Sequence, residues 1–520
     1  MITWILLFLL TGIVAIYYYF SRDLNFFEKH GILHIPPWPI VGNLGPTFFR
    51  KAPFVDVIQR AYDLNPDAKY VGFFDGTSPI VIIRDLDLIK TIGVKNFETF
   101  IDHRALIDED IDPLLGKNLM ALRGERWRDV RALLTPAFTS SKMKAMFKLM
   151  SEYADNFADF LSKLPADKST MDVKDCFTRY TSDVIATCAF GINVDSMKNP
   201  NNKFYIYGKE ITTFDTPRII KFYLIRNIPR ITKMLGIKFI NDRLERFFKD
   251  LIRNTIHTRD VKNIVRQDML QLMMETRGKR GPGKELTVED MTSQAFVFFF
   301  GGFDTVSALM CFAAHEITVN PHVQEKLRNE IDNVLKAANG KLTYDALNEM
   351  QYLDAVINET LRFRSVLPVT DRMCVENFEL PSALPGGKPF LMKKGMSVWF
   401  PISGLLKDPK YFEKPDEFYP ERFLGENKKL LNSIAYLPFG IGPRMCIGNR
   451  FALLETKVML FHLLARCELK MCPKTTHPLR LSKSTLTLSA EGGFWLKIQP
   501  RKNPNTYDNV GNNSATNDRI

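Results

Sequence analysis

The sequence predicts a mainly α-helical fold with small β-sheets, an α+β class. From about Asp85 to Lys336, apolar residues recur mostly at helical spacing. No internal repeat is visible. Strand-like runs are few and short, namely Ile80–Ile83, Val398–Phe400, and Leu486–Leu488 with Phe494–Ile498, the last two expected to form a hairpin around Glu491–Gly493.

The first twenty residues predict a transmembrane anchor. Ile2–Phe20 carries no charge, and as a helix it would span roughly 29 Å, enough for a bilayer core. Trp4 and Tyr17–Tyr19 lie near its ends, where interfacial aromatic residues are expected. A cleaved signal peptide is the alternative, but no basic segment precedes the run and no small-x-small site follows it. We therefore expect residues 1–20 to remain as an uncleaved anchor.

The rest of the chain divides into a linker, a body and a tail. Three prolines in His34–Pro39 stiffen residues 21–41, which we expect to be an extended linker. Residues 42–502 form the folded body in this interpretation. The polar, Asn-rich residues 503–520 are expected to be disordered.

The net charge and the cysteines indicate which kinds of partner and which cellular compartment fit the chain. Lys and Arg number 70 against 58 Asp and Glu, a net charge of +12. Nucleic acid is the weakest explanation, because the chain has no zinc-finger spacing, RNA-binding signature or basic arm; an anionic membrane or an acidic protein fits better. The seven cysteines are odd in number and form no CxxC pair, which indicates a reducing compartment such as the cytosol.

Two consecutive helices can be placed in the body. Thr287 and Asp290 resemble a capping box, and the helical pattern then continues to Asn320. This helix is apolar on nearly every face, so we expect it to run buried through the body. A second helix follows, with Pro321 in its first turn and an end near Gly340. Its expected buried stripe is Val323, Leu327, Ile331 and Leu335.

The most informative segment has the pattern F-x-x-G-x-R-x-C-x-G, formed by Phe439, Gly442, Arg444, Cys446 and Gly448. Helical spacing begins at the next residue, so the cysteine lies just before a helix N-terminus, where free N–H groups and the dipole favour thiolate and lower the thiol pKa. The glycines would let a flat ligand approach closely, and the arginine could pair with its carboxylate. A buried cysteine beside a glycine-rich turn is the alternative.

This segment resembles the haem-binding loop of the cytochrome P-450 family, and the resemblance covers essentially Pro36 to Arg501. The resemblance implies the fold of that family, with the long buried helix crossing over a haem. Cys446 would bind the haem iron as thiolate, and Arg444 would take a propionate.

Further signatures occur in the family's usual order. Gly301–Thr305 is similar to its oxygen-activation motif, which implies that Thr305 donates its hydroxyl after the helix opens locally and that Asp304 relays a proton. Val306 departs from the pattern, since many relatives have Thr or Ser there.

Two other motifs concern support of the haem. Glu359 and Arg362 match the family's E-x-x-R helix motif, and Arg422 in Pro420–Phe423 would complete a buried structural network. Trp127 and Arg131 look like a second propionate clamp. The resemblance places Arg372 as another propionate contact, and His103 as a further one with Arg104 as the alternative.

The resemblance implies a haem-dependent monooxygenase, most like the insect detoxification branch, that oxidises lipophilic small molecules such as insecticides and plant toxins. An endogenous hormone or fatty acid is the alternative substrate. The rival functions are a haem isomerase that needs no reductase, a membrane-anchored haem carrier or sensor, and an interaction protein without cofactor. The substrate-facing segments, by position in the family, are His103–Leu119, Phe204–Phe222, Phe296–Thr305, Val366–Val369 and Ser489–Gly492.

Electrons must come from another protein. No G-x-G-x-x-G opens a strand–helix unit, so we expect a separate flavin-containing NADPH reductase, or a small haem electron carrier, to supply them. The expected location is the endoplasmic reticulum membrane, with a monomeric catalytic unit facing the cytosol. The candidate basic contacts for the reductase are Arg128, Lys142, Lys144, Lys428, Lys429 and Arg450.

Overall fold

Helices account for most of the structure, a computed structural model that describes residues 1–104, 107–266, 268–278, 285–483 and 488–502. The helices are α1 Ile2–Ser21, α2 Phe26–Lys29, α3 Gly45–Phe48, α4 Phe54–Tyr62, α5 Leu86–Lys90, α6 Pro113–Gly116, α7 Gly124–Leu134, α8 Ser140–Ser162, α9 Val173–Ile185, α10 Lys203–Thr212, α11 Thr216–Asn227, α12 Pro229–Met234, α13 Asp242–Lys262, α14 Met269–Met274, α15 Val288–Val319, α16 Pro321–Ala337, α17 Tyr344–Glu349, α18 Gln351–Phe363, α19 Ile402–Leu406 and α20 Asn449–Arg466. The strands are β1 Tyr70–Asp75, β2 Ser78–Ile83, β3 Thr170–Asp172, β4 Thr370–Met373, β5 Phe378–Leu380, β6 Phe390–Met392, β7 Ser397–Phe400, β8 Cys467–Lys470 and β9 Trp495–Pro500.

The largest sheet has four strands in the order β1-β2-β7-β4. β2 runs parallel to β7, and the two outer pairs are antiparallel. The apolar runs Ile80–Ile83 and Val398–Phe400 lie in β2 and β7 and are buried, so both strand predictions are confirmed. Buried central strands are expected to read as short continuous apolar runs, as these do.

The hairpin predicted at the C-terminal end is wrong. β9 pairs with β3 along one edge and with β8 along the other, in a three-stranded antiparallel sheet. Both edges of β9, which begins at Trp495 within the predicted run Phe494–Ile498, are therefore occupied by distant segments. Leu486, in the other half of the expected hairpin, lies outside the described residues. Gly492 and Gly493 do form a turn, at φ 79° and 96°, but that turn leads into β9 from an irregular segment.

The long central helix α15 is confirmed. Thr287 accepts a hydrogen bond from the Asp290 N–H, and the Asp290 carboxylate accepts one from the Thr287 N–H, so both halves of the capping box are present. The helix is 32 residues long, and 67% of its most apolar stretch is buried against other parts of the protein. It packs against α9, α13 and α20. Its apolar character is therefore that of a core helix, as predicted.

The next helix, α16, also agrees with the sequence. Pro321 occupies its first turn, and Gly340 follows its end at φ 78°. The predicted stripe is buried, at Val323, Leu327, Ile331 and Leu335.

The N-terminal helix α1 is long and apolar enough to cross a membrane, and no part of its apolar stretch is buried. The segment after it lies on the body: Phe27 is fully buried, and the Leu33 carbonyl accepts a hydrogen bond from Gly72 in β1. Residues expected to form an extended linker are thus packed against the first sheet. Residues 503–520, the expected disordered tail, lie outside the described residues, and the predicted boundaries 1–20, 21–41 and 42–502 stay predictions.

Candidate functional site

The cysteine loop folds back on itself before α20 begins. A turn of 3₁₀ helix covers Gly442–Arg444, and the backbone N–H of Cys446 donates to the Phe439 carbonyl at 2.9 Å. α20 begins at Asn449, three residues after the cysteine. The sulfur is therefore held at the entrance of a helix, as the sequence predicted.

Gly442 lies against the backbone of a distant segment. Its φ is 70°, and a Cβ there would lie 2.0 Å from the Gly93 carbonyl oxygen. Glycine at this position therefore lets the loop approach the protein's own backbone at Gly93. Gly448 has an ordinary φ of −93°, and a Cβ there would be 3.8 Å from the Phe138 ring.

We expect Gly442→Ala to damage the cysteine loop and Gly448→Ala to be tolerated. An alanine at position 442 faces both the left-handed backbone penalty, about 1–2 kcal/mol, and a backbone overlap that must push the loop away from Gly93. The measurement is the amount of haem retained by each purified variant relative to wild type. Equal haem content in the two variants would contradict this explanation of the loop.

The Cys446 thiol lies deep in the protein and is still accessible. Burial raises its pKa above the ordinary value, whereas the Gly448 N–H and the Arg131 cation act in the opposite direction. The lowered thiol pKa expected from the helix N-terminus is therefore wrong, because desolvation outweighs the two stabilising groups. Cys446 is nevertheless exposed, unlike the other six cysteines, which are buried. A thiol that is both desolvated and accessible borders an internal space.

The central turn of α15 also borders open space. Gly301 is exposed within a largely buried helix, and a Cβ at that position would meet no atom within 4 Å. Thr305, one turn later on the same face, is partly accessible. The accessible strip of this buried helix thus coincides with the motif that the sequence singled out.

The Thr305 hydroxyl forms a hydrogen bond within its own helix. It donates to the Gly301 carbonyl one turn earlier, and α15 is continuous through this turn. The helix is therefore not locally opened here. A hydroxyl bound to a backbone carbonyl keeps its lone pairs free to accept a hydrogen bond from a neighbour on the accessible face.

Asp304 lies next to Thr305 in sequence, but its carboxylate forms an ion pair with a residue of another helix. Its Oδ1 accepts a hydrogen bond from Lys174 Nζ of α9 at 2.7 Å. Nothing in the spacing of the motifs pointed to Lys174, because its contact with α15 depends on how two helices pack.

Arginines surround the cysteine loop. Arg444 donates to the carbonyls of Ile101 and Leu122 at 2.7 and 2.8 Å, and its guanidinium lies 4.0 Å from the centre of the Trp127 ring. Arg131 donates to the Met445 carbonyl at 2.9 Å. The residues predicted as propionate clamps thus lie together around the loop. Some of the N–H donors of Arg444 are already bound to backbone carbonyls.

Arg372 and His103 lie on the same side of the site. Arg372 is fully buried in β4 and donates to the Ile441 carbonyl at 2.6 Å. His103 Nδ1 is 2.8 Å from Asp371 Oδ1, and burial lowers the pKa of the imidazole despite this carboxylate. Arg104, the alternative to His103, turns away and pairs with Asp75 at 3.0 Å.

The cluster fits a dianionic ligand. Burial lowers the pKa of Arg444 to about 9 and that of Arg372 to about 10, although Asp102 and Asp371 act in the opposite direction. Arg372 Nε is buried and has no hydrogen-bond partner among the described residues. Buried cations and an unused donor are stabilised by nearby carboxylates. Together with the accessible Cys446 sulfur, these donors suit a haem with its two propionates.

The predicted support network is confirmed. Glu359 and Arg362 of α18 are fully buried and form a bidentate pair with both contacts at 2.8 Å. Arg422 Nε approaches the same Glu359 carboxylate at 3.4 Å. Arg362 also donates to the backbone carbonyls of the segment that leads to the cysteine loop, at Leu406, Pro415 and Glu417.

One expected substrate segment is largely core. In Phe296–Thr305, the rings of Phe296 and Phe299 pack on Phe248 of α13 at 5.3 and 5.2 Å, and Phe303 packs on Phe299 at 5.0 Å. Phe300 and Gly301 keep accessible surface. The aromatic content of this segment therefore serves mainly helix packing. Two residues of the expected segment His103–Leu119, 105 and 106, lie outside the described residues.

These features place the chain among haem-thiolate proteins. The cytochrome P-450 family model matches residues 34–497. Cytochrome P-450 9e2 of Blattella germanica is 43% identical, over 96% of this chain and 98% of its own length. Cytochrome P-450 9b2 of Drosophila melanogaster is 36% identical, over 94% and 97%, and cytochrome P-450 6j1 of Blattella germanica is 34% identical, over 93% and 95%.

The chain belongs to the cytochrome P-450 family. It is a haem-dependent monooxygenase whose haem has an axial cysteine thiolate, and it uses O₂, a redox partner and a small-molecule substrate. The prediction from the cysteine segment is confirmed at this level.

Proposed function

We propose that this monooxygenase oxidises lipophilic foreign compounds, such as insecticides and plant toxins, with Cys446 as the axial thiolate. The observation that carries the assignment of Cys446 is its accessible sulfur at the entrance of α20, bordered by Arg131 and the buried arginine cluster. The substrate class is supported by the likeness to insect relatives along nearly the whole chain.

A haem held at Cys446 would supply activation of O₂, because electron density from a thiolate ligand favours cleavage of the O–O bond. One oxygen atom enters the substrate and the other leaves as water, which consumes two electrons and two protons. Thr305 on the accessible face orients a proton donor through its free lone pairs. Asp304 is the carboxylate through which protons reach that face from solvent. The apolar packing around α15 excludes bulk water.

The arginine cluster would hold the propionates. Trp127, Arg131, Arg372, Arg444 and His103 remain our proposed contacts, with Arg372 Nε as the donor that is still available. Phe439, Gly442 and Gly448 shape the loop that presents the sulfur. The electrostatic match between two propionates and the buried Arg372 and Arg444, together with the half-buried Arg131, would then stabilise the bound haem.

We infer that electrons come from a membrane-bound NADPH reductase that docks beside the cysteine loop. Lys428, Lys429 and Arg450 are exposed, and Arg450 lies in the first turn of α20, four residues after Cys446. Arg128 is paired with Glu98 and Glu125, and Lys144 with Asp345. The exposed cations are therefore the better candidates for steering an acidic partner.

The double reversal K428E/K429E should weaken electron transfer from the reductase. Like charges would then face an acidic partner, so the rate at low salt should fall and its dependence on ionic strength should flatten. Stopped-flow reduction of the haem under carbon monoxide measures both. A double variant that is reduced at the wild-type rate at every ionic strength would show that these lysines do not steer the reductase.

The apolar α1 helix fits a membrane anchor. We propose the endoplasmic reticulum membrane, with a monomeric catalytic domain on its cytosolic face. The absence of CxxC pairs among the seven cysteines supports the reducing side of that membrane.

The substrate proposal is tested by a binding screen. Lipophilic toxins, insecticides, hormones and fatty acids are titrated into the purified protein, and displacement of haem-bound water is followed as a Soret shift. We expect micromolar shifts with foreign compounds, followed by NADPH- and reductase-dependent oxidation of the same compounds. Shifts confined to one hormone or fatty-acid series would instead assign an endogenous role.

A further inference from the structure

Several polar side chains lie in the contact between α9 and α15. Lys174 Nζ donates to Asp304 Oδ1 at 2.7 Å and to Ser307 Oγ at 2.8 Å, and it lies 3.3 Å from the Asp304 carbonyl oxygen. Thr181 of the same helix donates to the Phe303 carbonyl at 2.9 Å. α9 therefore directs donors at the turn of α15 that carries Asp304 and Thr305.

Lys174 is itself held in place. Its backbone N–H donates to Asp172, the N-cap of α9, at 3.0 Å, and the same carboxylate oxygen accepts the Phe494 N–H at 2.9 Å. The first turn of α9 is thus fixed to the strand that precedes it and to the residue before β9. Because this turn is held in place, the position of the Lys174 side chain relative to α15 is also restricted.

The ion pair is partly withdrawn from water. The side chains of Lys174 and Asp304 are 24% and 19% exposed. Such a pair is screened less than a surface pair and is charge-assisted, so it holds the carboxylate in one position more firmly than an exposed contact would. Its remaining exposure keeps it in contact with solvent, the source of protons.

Helix geometry separates the acid from the hydroxyl. Asp304 and Thr305 are consecutive, so their side chains leave α15 about 100° apart. Thr305 shares the accessible face with Gly301, while Lys174 holds the Asp304 carboxylate towards α9. The position of the carboxylate relative to the accessible face is therefore set by a residue on another helix.

We propose that Lys174 is a positioning residue for the oxidation: its ammonium holds the Asp304 carboxylate in one position beside the turn that carries Thr305, and from this position the carboxylate passes protons from solvent to the accessible face. Lys174 keeps its own proton throughout. The inference rests on the proton role proposed for Asp304, and it adds a residue that acts on the reaction through Asp304.

The test compares K174M, K174R, D304N and the double variant K174M/D304N as reductase-supported holoenzymes. K174M should lower the product formed per NADPH consumed by about tenfold, as expected for loss of one charge-assisted contact to a proton donor, and should increase the solvent deuterium isotope effect on product formation. K174R keeps a cation within reach and should recover most of the product yield. The double variant should be no worse than D304N alone.

Two further measurements separate positioning from folding. K249M removes a lysine of similar exposure, 31%, that pairs with Glu245 at 2.6 Å on α13, and it should leave the product yield unchanged. The infrared C–O stretch of the reduced, carbon-monoxide-bound protein reports charge near the accessible face. It should shift in K174M and not in K249M.

The possible failures are distinguishable. A wild-type product yield in K174M, beside a low yield in D304N, would overturn the role of Lys174 and leave that of Asp304 intact. A double variant clearly worse than D304N would show that Lys174 acts on folding or by another route, and would also overturn the inference. A wild-type yield in D304N would remove the proposed proton role itself.

Discussion

Replacing Cys446 with serine should abolish oxidation while the chain still folds. A serine hydroxyl is almost fully protonated at neutral pH and, unlike a thiolate, has no soft, electron-rich sulfur to donate to iron. The site around it has the same shape, because the loop is held by the Cys446 N–H to the Phe439 carbonyl, a bond that serine keeps. Product formation should fall to the background of the assay without protein.

Cys374→Ser is the matched control. Cys374 is buried, and its Sγ donates to the Lys393 carbonyl at 2.9 Å, a hydrogen bond that a serine hydroxyl can replace. This variant should keep its activity, whereas Cys446→Ser should lose it with an unchanged far-ultraviolet circular dichroism spectrum. Retained oxidation in the Cys446 variant would mean that another residue binds the iron.

Glu359→Gln should have the largest effect on stability. Glu359 is the carboxylate for both Arg362 and Arg422, and both guanidiniums are buried. Removing its charge leaves two buried cations without a counter-ion, for which a cost of roughly 3–5 kcal/mol in the free energy of unfolding is expected. Because Arg362 also holds backbone carbonyls before the cysteine loop, the variant should in addition lose haem.

The control for this variant is Asp260→Asn. Asp260 and Arg277 also form a bidentate pair, at 2.8 and 3.0 Å, but their side chains are 46% and 38% exposed. Breaking an exposed pair should cost about 0–1 kcal/mol. The half-life of thermal inactivation and the haem content are measured for both variants, to compare the cost of breaking the buried pair with that of breaking the exposed pair. If Glu359→Gln were as stable as Asp260→Asn, the network would not support the loop.

Local patterns in the sequence predicted the elements that depend on neighbouring residues. The capping box at Thr287 and Asp290 fixed the start of α15, and spacing by four gave the buried stripe of α16. The turn before α20 was predicted because glycines and proline cannot continue a helix there. The E-x-x-R pair was predicted correctly as buried because its partner Arg422 lies in a recognisable motif.

Features that depend on distant segments were missed or misread. The pairing of β9 with β3 and β8 joins residues more than 300 positions apart on one side, which no local turn signal reveals. Position 442 has no room for a side chain because the Gly93 carbonyl lies against it, and Asp304 forms an ion pair with Lys174. Both contacts arise where separate elements pack together. The pKa of Cys446 was misjudged because the helix N-terminus is visible in the sequence and desolvation is not.

The most direct measurement is the absorption spectrum of the purified protein, reduced and exposed to carbon monoxide. Ligation of the iron by the sulfur at position 446 predicts the strongly red-shifted Soret band of a thiolate-bound haem, and its disappearance in the serine variant. A Soret band at the position typical of nitrogen ligation in the correctly folded protein, or a red-shifted band that survives the substitution, would contradict the account.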